Sequence, residues 1–228
     1  MTEPNGLLAA GADISAGRLI EAYRKGIFPW YGEGQPVLWW SPDPRMVLQL
    51  ERFRLSHSLI KKLRQIRRDP RWQISLNRQF EQVMRECARP RPDQDGTWIT
   101  DDIIASYVQL HQRGAAVSVE VSYDGELVGG LYGVTLGRMF YGESMFARRN
   151  DASKIALALL VFTLRSCDFH MLDCQQNTSH LASMGACEID RSQFIASLSV
   201  LLAQSGPDWS TVELVWPSDL AGLTVASA

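Results

Sequence analysis

Apolar positions in this chain change period several times, and each change marks an element. Leu19, Ile20 and Tyr23 recur at helical spacing between Ser15 and Lys25, and Gly26 supplies a helix stop. Leu59, Ile60, Leu63 and Ile66 form one side of a second helix over 56–68. Further helices are predicted over 77–87, from an N-cap at Thr100 to Arg113, and over about 153–165, 179–184 and 191–202. The last opens on Asp190-Arg191-Ser192-Gln193, the spacing of a capping box. Alternating stretches read as strands at 46–50, 117–123, 126–135 and 138–143, with Asp124-Gly125 as a hairpin turn. Met171 to Gln175 reads as a buried strand between two helices, and 211–216 as a final strand. This order predicts an α+β fold of acyltransferase type. Its sheet is mixed and mainly antiparallel, splayed where the Met171 strand begins.

The N-terminal part breaks the rhythm. Ile27-Phe28-Pro29-Trp30-Tyr31-Gly32 is too rich in Pro and Gly for a helix, and Trp39-Trp40-Ser41-Pro42-Asp43-Pro44-Arg45 follows it. Two prolines two residues apart forbid helix and central strand alike, so the aromatic side chains are expected on a rigid irregular segment. Some of these rings also serve a small aromatic core. The change divides a small domain, 1–44, from a body, 45–228. A Pro-rich loop is expected from Arg89 through Gly96.

Composition adds limits. The 46% hydrophobic content over 228 residues supports a sizeable core. No window approaches the ~18 uninterrupted apolar residues of a membrane span, and Met1 to Gly6 lacks a secretory n-region, so no membrane partner is expected. Cys87, Cys167, Cys174 and Cys187 form no C-x-x-C pair, which suits reduced thiols in a cytoplasmic protein. The four histidines show no ligand spacing, so no metal is expected. Charge is segregated: residues 52–91 hold twelve Lys/Arg against three acids, in a chain of net charge −2. A basic segment beside an acidic body points to a polyanion on one side and a cation on the other. The bland alternative is a solvated helix face.

The sharpest chemical signal is Asp173 and Gln175. Strand alternation sends both side chains the same way, and a carboxylate with an amide inside a sheet requires a polar counterpart. Glu143 is a second such anomaly, at the end of Met139-Phe140-Tyr141-Gly142. Together they suggest an acidic, otherwise apolar pocket for an amine-bearing group. Alternatively, Asp173 caps the following helix and Gln175 satisfies a loop.

Several segments then resemble one family: Pro4-Asn5-Gly6-Leu7-Leu8, Gly26-Ile27-Phe28-Pro29-Trp30, the Trp39 to Arg45 segment, Gly96-Thr97-Trp98-Ile99-Thr100, Leu127 to Gly133, Gly142-Glu143-Ser144-Met145-Phe146, Asp173-Cys174-Gln175 and Met184 to Ile189. The chain resembles the leucyl/phenylalanyl-tRNA protein transferase family of bacteria over residues 4 to about 195. The resemblance implies a small N-terminal domain joined to a domain like the GNAT acetyltransferases. It implies transfer of Leu or Phe, and less well Met, from aminoacyl-tRNA to the N-terminal Arg or Lys of a protein, which marks that protein for the N-degron pathway. No cofactor is implied, and a monomer is expected.

In that frame Asp173 is the expected proton acceptor or polarises Gln175, Gln175 holds the attacking amine, and Glu143 holds the aminoacyl α-amino group or shapes the pocket. Leu131, Phe140, Leu157 and Leu172 would line the apolar cavity, although plain core packing explains any one of them singly. Ser144 and Thr178 join the substrate contacts, the latter within Gln176-Asn177-Thr178, where other members vary. Trp30 and Trp98 match the positions that would sandwich the terminal adenosine. Lys61, Lys62, Arg64, Arg67 and Arg68 would meet tRNA phosphates. The alternative is an N-acetyltransferase of the GNAT type using acetyl-CoA. Against it, Arg148-Arg149-Asn150-Asp151-Ala152-Ser153 stands where that fold carries a Gly-rich pyrophosphate loop.

Overall fold

The computed structural model of the chain describes residues 4–90 and 97–217; the expected loop at 91–96 lies outside them. Its elements in chain order are β1 (Leu7–Ala10), α1 (Ala16–Arg24), β2 (Phe28–Pro29), β3 (Leu38–Trp40), β4 (Arg45–Gln49), α2 (His57–Ile66), β5 (Trp72–Leu76), α3 (Phe80–Ala88), α4 (Asp101–Gln112), β6 (Ala116–Tyr123), β7 (Glu126–Leu136), β8 (Met139–Ala147), α5 (Ala152–Ser166), β9 (Met171–Gln175), α6 (Ser179–Ser183), β10 (Cys187–Ile189) and α7 (Arg191–Leu202). The small N-terminal segment forms the sheet β1-β3-β2, and the body carries a seven-stranded sheet ordered β10-β4-β9-β8-β7-β6-β5. Neighbours in the large sheet are antiparallel except β8 with β9, so the fold is α+β with a mixed, mainly antiparallel sheet.

Alternation along the strands divides the core in two. Val117, Val119, Leu131, Phe140 and Leu172 pack with α2 and the apolar run of α5. Ala116, Tyr132, Val134, Tyr141 and Met171 pack on the other face with α1, α3, α4 and α7. Side chains of the N-terminal segment, including Leu19, Tyr23, Phe28 and Trp40, belong to this second cluster. Leu59, Ile60, Leu63 and Ile66 are buried, leaving the basic side of α2 outward.

The parallel pair of β8 and β9 sets the site. It holds for Met139↔Met171, Phe140↔Leu172 and Tyr141↔Asp173, and then the strands part. The opening therefore lies at the end of the Met171 strand and not at its beginning, because Met139 and Phe140 close the start.

Other departures have local causes. The helix expected from Asn77 begins at Phe80, because Asn77 takes φ +60° and exchanges bonds with Ser118, its N–H donating to the Ser118 carbonyl and its Oδ1 accepting from the Ser118 N–H, both at 3.0 Å. Buried Glu120 accepts from the backbone N–H groups of Arg78 and Gln79 at 3.3 Å and from the Ser75 hydroxyl at 2.5 Å, which fixes the unforeseen edge strand β5. Asp190 caps α7 without a side-chain bond; Asp43 Oδ1 accepts from the Arg191 N–H at 3.0 Å in its place. Residues 211–216 form no strand; the Val215 N–H donates to Thr163 Oγ1 at 3.0 Å. The Pro-rich segment does contain a strand, β3, with Trp39 and Trp40 buried and the prolines displaced to the link before β4.

Candidate active site

A cavity of about 420 Å³ opens where β8 and β9 part. Leu131, Phe140, Leu157 and Leu172 line its apolar side, as do Leu160 and Met145, which the sequence did not single out. Ser144, Thr178, Glu143 and Gln175 line it too. At its edge stand Trp98 and Trp30, and Trp30 is 40% exposed, unusual for an indole and available for stacking. Trp40 meets Trp30 edge-on at 5.7 Å and donates its Nε1–H to the Trp30 carbonyl at 2.6 Å, which steadies the exposed ring from behind.

Glu143 reaches the cavity through a β-bulge. Tyr132 pairs with Ser144 and Gly133 with Gly142, so Glu143 is the extra residue of β8. A Cβ at Gly133 would overlap the Tyr141 carbonyl oxygen and the Phe140 ring, so the close approach requires glycine there. The bulge turns Glu143 toward α1 and α4. Its Oε1 accepts from the Tyr23 hydroxyl at 2.7 Å and from Gln175 Nε2 at 3.1 Å, and its Oε2 accepts from the Tyr107 hydroxyl at 3.3 Å. The two phenols stand 2.5 Å apart. Burial pushes the Glu143 carboxyl up to about 7, and Asp173 adds to the rise, while the bonds from Tyr23 and Tyr107 and the charge of Arg45 restrain it. Burial also holds the phenols of Tyr23 and Tyr107 well above their ordinary value, so both stay protonated donors.

Asp173 does not stand in the cavity. Its side chain is fully buried, Oδ1 accepting from Arg45 Nε at 2.8 Å and Oδ2 from Arg45 Nη2 at 2.6 Å. Arg45 Nη1 donates to the Gly26 carbonyl at 3.1 Å, and the guanidinium lies between the rings of Phe28 and Phe194, 4.9 and 4.6 Å from their centroids. Both carboxylate oxygens are held by one arginine and the side chain is sealed from the cavity, a geometry that does not present Asp173 directly to a substrate amine. The expected side-by-side arrangement also fails: Gln175 takes φ +64°, which ends the alternation, and its backbone N–H donates to Asp173 Oδ1 at 2.9 Å while its side chain goes to Glu143. Asp173 thus holds Gln175 through the main chain. Arg45, Tyr23, Tyr107 and Tyr132 were missed as site residues. A signal existed for Arg45, a cation opening the apolar strand Met46 to Leu50, which demands a buried partner.

The basic helix α2 exposes Lys61 and Arg64, and Arg67 and Arg68 are exposed in the turn that follows it, whereas Lys62 is half-buried, its Nζ 4.9 Å from the Trp72 ring. Arg67 Nη1 donates to the Pro217 carbonyl at 3.3 Å. Among the described residues, no helix is long and apolar enough to cross a membrane.

Comparison with known proteins places the chain in a family. Residues 47–199 match the leucyl/phenylalanyl-tRNA protein transferase family, and residues 12–43 match that family's N-terminal domain. A leucyl/phenylalanyl-tRNA protein transferase of Janthinobacterium sp. (strain Marseille) is 57% identical over 94% of this chain and 90% of its own length. One from Cupriavidus metallidurans is 61% identical over 88% of this chain and 81% of its own. Among solved structures, that of L-PGS from Bacillus licheniformis overlaps 83% of this chain and 58% of its own at 11% identity and a TM-score of 0.42, too loosely to carry chemistry. With both parts of the chain matched and relatives this similar over most of its length, the protein belongs to the leucyl/phenylalanyl-tRNA protein transferase family, enzymes that move an aminoacyl group from tRNA to protein.

Proposed function

We propose that this enzyme moves leucine or phenylalanine, and methionine less well, from the 3′ end of tRNA onto the N-terminal Arg or Lys of a protein, marking it for the N-degron pathway. The observation that carries the reading is a carboxyl with a pKa near 7, Glu143, beside an apolar recess of suitable size. Leu131, Phe140, Leu157 and Leu172 receive the aminoacyl side chain. Trp30 and Trp98 take the terminal adenine by stacking, which is tolerant of geometry and worth roughly 1–3 kcal/mol per base. Lys61, Lys62, Arg64, Arg67 and Arg68 follow the acceptor-stem phosphates. Ser144 and Thr178 line the path between these regions. An adjoining cavity shares Thr97 with the first and is lined by Glu33, Asp101 and Asp102 and by Arg85, whose Nη1 stands 3.5 Å from Asp101 Oδ1, so its lining carries more negative than positive groups, the sign that an acceptor Arg or Lys requires.

The step is aminolysis of an ester. The neutral α-amine of the acceptor attacks the aminoacyl carbonyl carbon, a C–N bond forms, and the C–O bond to the ribose oxygen breaks. One proton leaves the nitrogen and one proton must reach the departing oxygen. Glu143 accepts the first and returns it to the oxygen. A base with a pKa near 7 suits an amine whose ordinary value is about 8. Gln175 Nε2 holds Glu143, leaving the Gln175 carbonyl oxygen as an acceptor for the incoming amine. Positioning two bound reactants supplies much of the remaining acceleration. The balance needs no nucleotide, metal or redox partner. At the start of α5, Asp151 occupies the N-cap with φ +67°, placing a carboxylate where an acetyl-CoA pyrophosphate would need donors.

Incubation with radiolabelled Leu-tRNA and two peptides, one starting with Arg and one with Asp, tests the reading. Label on the Arg peptide alone is expected. No label on either, or equal label on both, would overturn it.

A further inference from the structure

One hydroxyl of the cavity is unaccounted for by this reaction. Tyr132 is among the residues that line the cavity and is fully buried, yet its hydroxyl makes no hydrogen bond. Buried polar groups normally find partners, and an unmet one at a binding site is a place kept for a ligand atom. Its ring cannot swing away to find one. Phe80 and Tyr107 meet it edge-on, each 5.9 Å between centroids, and fix its plane.

Its position in the sheet says which ligand atom. Tyr132 and Leu131 are successive residues of β7, so they face opposite sides of the sheet. Leu131 packs with α5 and lines the apolar recess, whereas Tyr132 packs with α3 and α4 on the side of Tyr107. The cavity reaches both sides because β8 and β9 part beside it. An aminoacyl Cα in that gap carries its side chain and its α-amino group in different directions. With the side chain in the recess, the amino group lies toward the other face. Burial, and then the charge of Glu143, hold the Tyr132 phenol well above its ordinary value, so it stays protonated, and its ring meets that of Tyr107, whose hydroxyl donates to Glu143.

We propose that the Tyr132 hydroxyl hydrogen-bonds the α-amino group of the bound aminoacyl ester. This assigns one amine to each polar group, Tyr132 to the donor's amino group and Glu143 to the attacking one. It also makes Tyr132 a specificity residue, one that tells an α-amino acyl group from an acyl group without the amine. The inference rests on the transfer reaction proposed above.

The test compares tRNA charged with phenylalanine against the same tRNA carrying 3-phenylpropionate, which is phenylalanine without its amino group. Dissociation constants are measured for the wild-type enzyme and for Tyr132→Phe, with thermal unfolding of both proteins. The wild type should prefer Phe-tRNA. Tyr132→Phe should reduce that preference about tenfold, weakening Phe-tRNA and leaving phenylpropionyl-tRNA unchanged. Its melting temperature should be equal or higher, because the unmet buried hydroxyl is gone. Equal weakening of both ligands, no weakening of either, no preference in the wild type, or a lower melting temperature would each overturn the assignment. A failure of the transfer reading would show separately, as wild-type enzyme that places no label on an Arg peptide.

Discussion

At the scale of single residues, the fully buried ion pair between Arg45 and Asp173 separates structural from chemical roles. Taking two charges out of water is expensive, and their attraction repays it only with good geometry and further bonds. Here both carboxylate oxygens meet the guanidinium, which also finds the Gly26 carbonyl and two aromatic faces. Removing one partner leaves the other charged and alone. Asp173→Ala should therefore destabilise the fold by about 3–5 kcal/mol, read by denaturant unfolding. The paired change Arg45→Met with Asp173→Leu should recover most of that stability, because no buried charge remains. A double variant as unstable as the sum of the singles would mean that the pair does not act as a unit. The sequence marked Asp173 as anomalous but not its partner, since β4 and β9 are distant in sequence and come side by side only in the folded sheet, with Val47 opposite Asp173.

At the scale of elements, helices were legible wherever an apolar stripe had clear ends. Ser15, Ser56, Thr100 and Thr178 each accept a backbone N–H at a helix start. Strands were legible where alternation was long, as in β6 and β7. What failed was what long-range pairing decides. The edge strand β5 exists because it pairs with β6 and because Glu120 collects the donors beside it. The β8 strand runs on to Ala147, past the expected end at Glu143, because the bulge absorbs that residue and pairing resumes. The proposed contact with tRNA phosphates belongs to the basic side of α2. Reversing Lys61, Arg64 and Arg68 to Glu should weaken tRNA binding and flatten its dependence on salt, by nearly one unit of log–log slope for each phosphate no longer neutralised. An unchanged slope would return this face to mere solvation. Lys62 belongs less to this test, since its cation already lies over Trp72.

At the scale of the whole molecule, the sheet brings together what the sequence keeps apart. Tyr23 on α1, Tyr107 on α4, Glu143 on β8 and Gln175 on β9 form one bonded cluster only because β8 and β9 diverge beneath the N-terminal segment. Sequence reading singled out the tryptophans and the acid–amide strand and gave the proton to Asp173, whereas the mechanism proposed from the geometry gives it to Glu143. Burial distinguishes the two: Asp173 is sealed against Arg45, whereas Glu143 lines the cavity with its pKa raised to about 7. In the proposed mechanism the same burial makes Glu143 the group whose ionisation would control the rate near neutrality. His180 also lines the cavity, but burial and then Lys154 lower its pKa, so it loses its proton first as pH rises. The most direct test is kcat/KM for transfer as a function of pH in the wild type, Glu143→Gln and Asp173→Asn. The wild type should rise through a limb near pH 7 as Glu143 ionises, with a second limb near the ~8 of the acceptor amine. Glu143→Gln should lose the lower limb and about 100-fold in rate, while folded Asp173→Asn keeps that limb. A Glu143→Gln enzyme with the limb and the rate intact, or an Asp173→Asn enzyme that alone loses the limb, would contradict Glu143 as the acceptor of the proton.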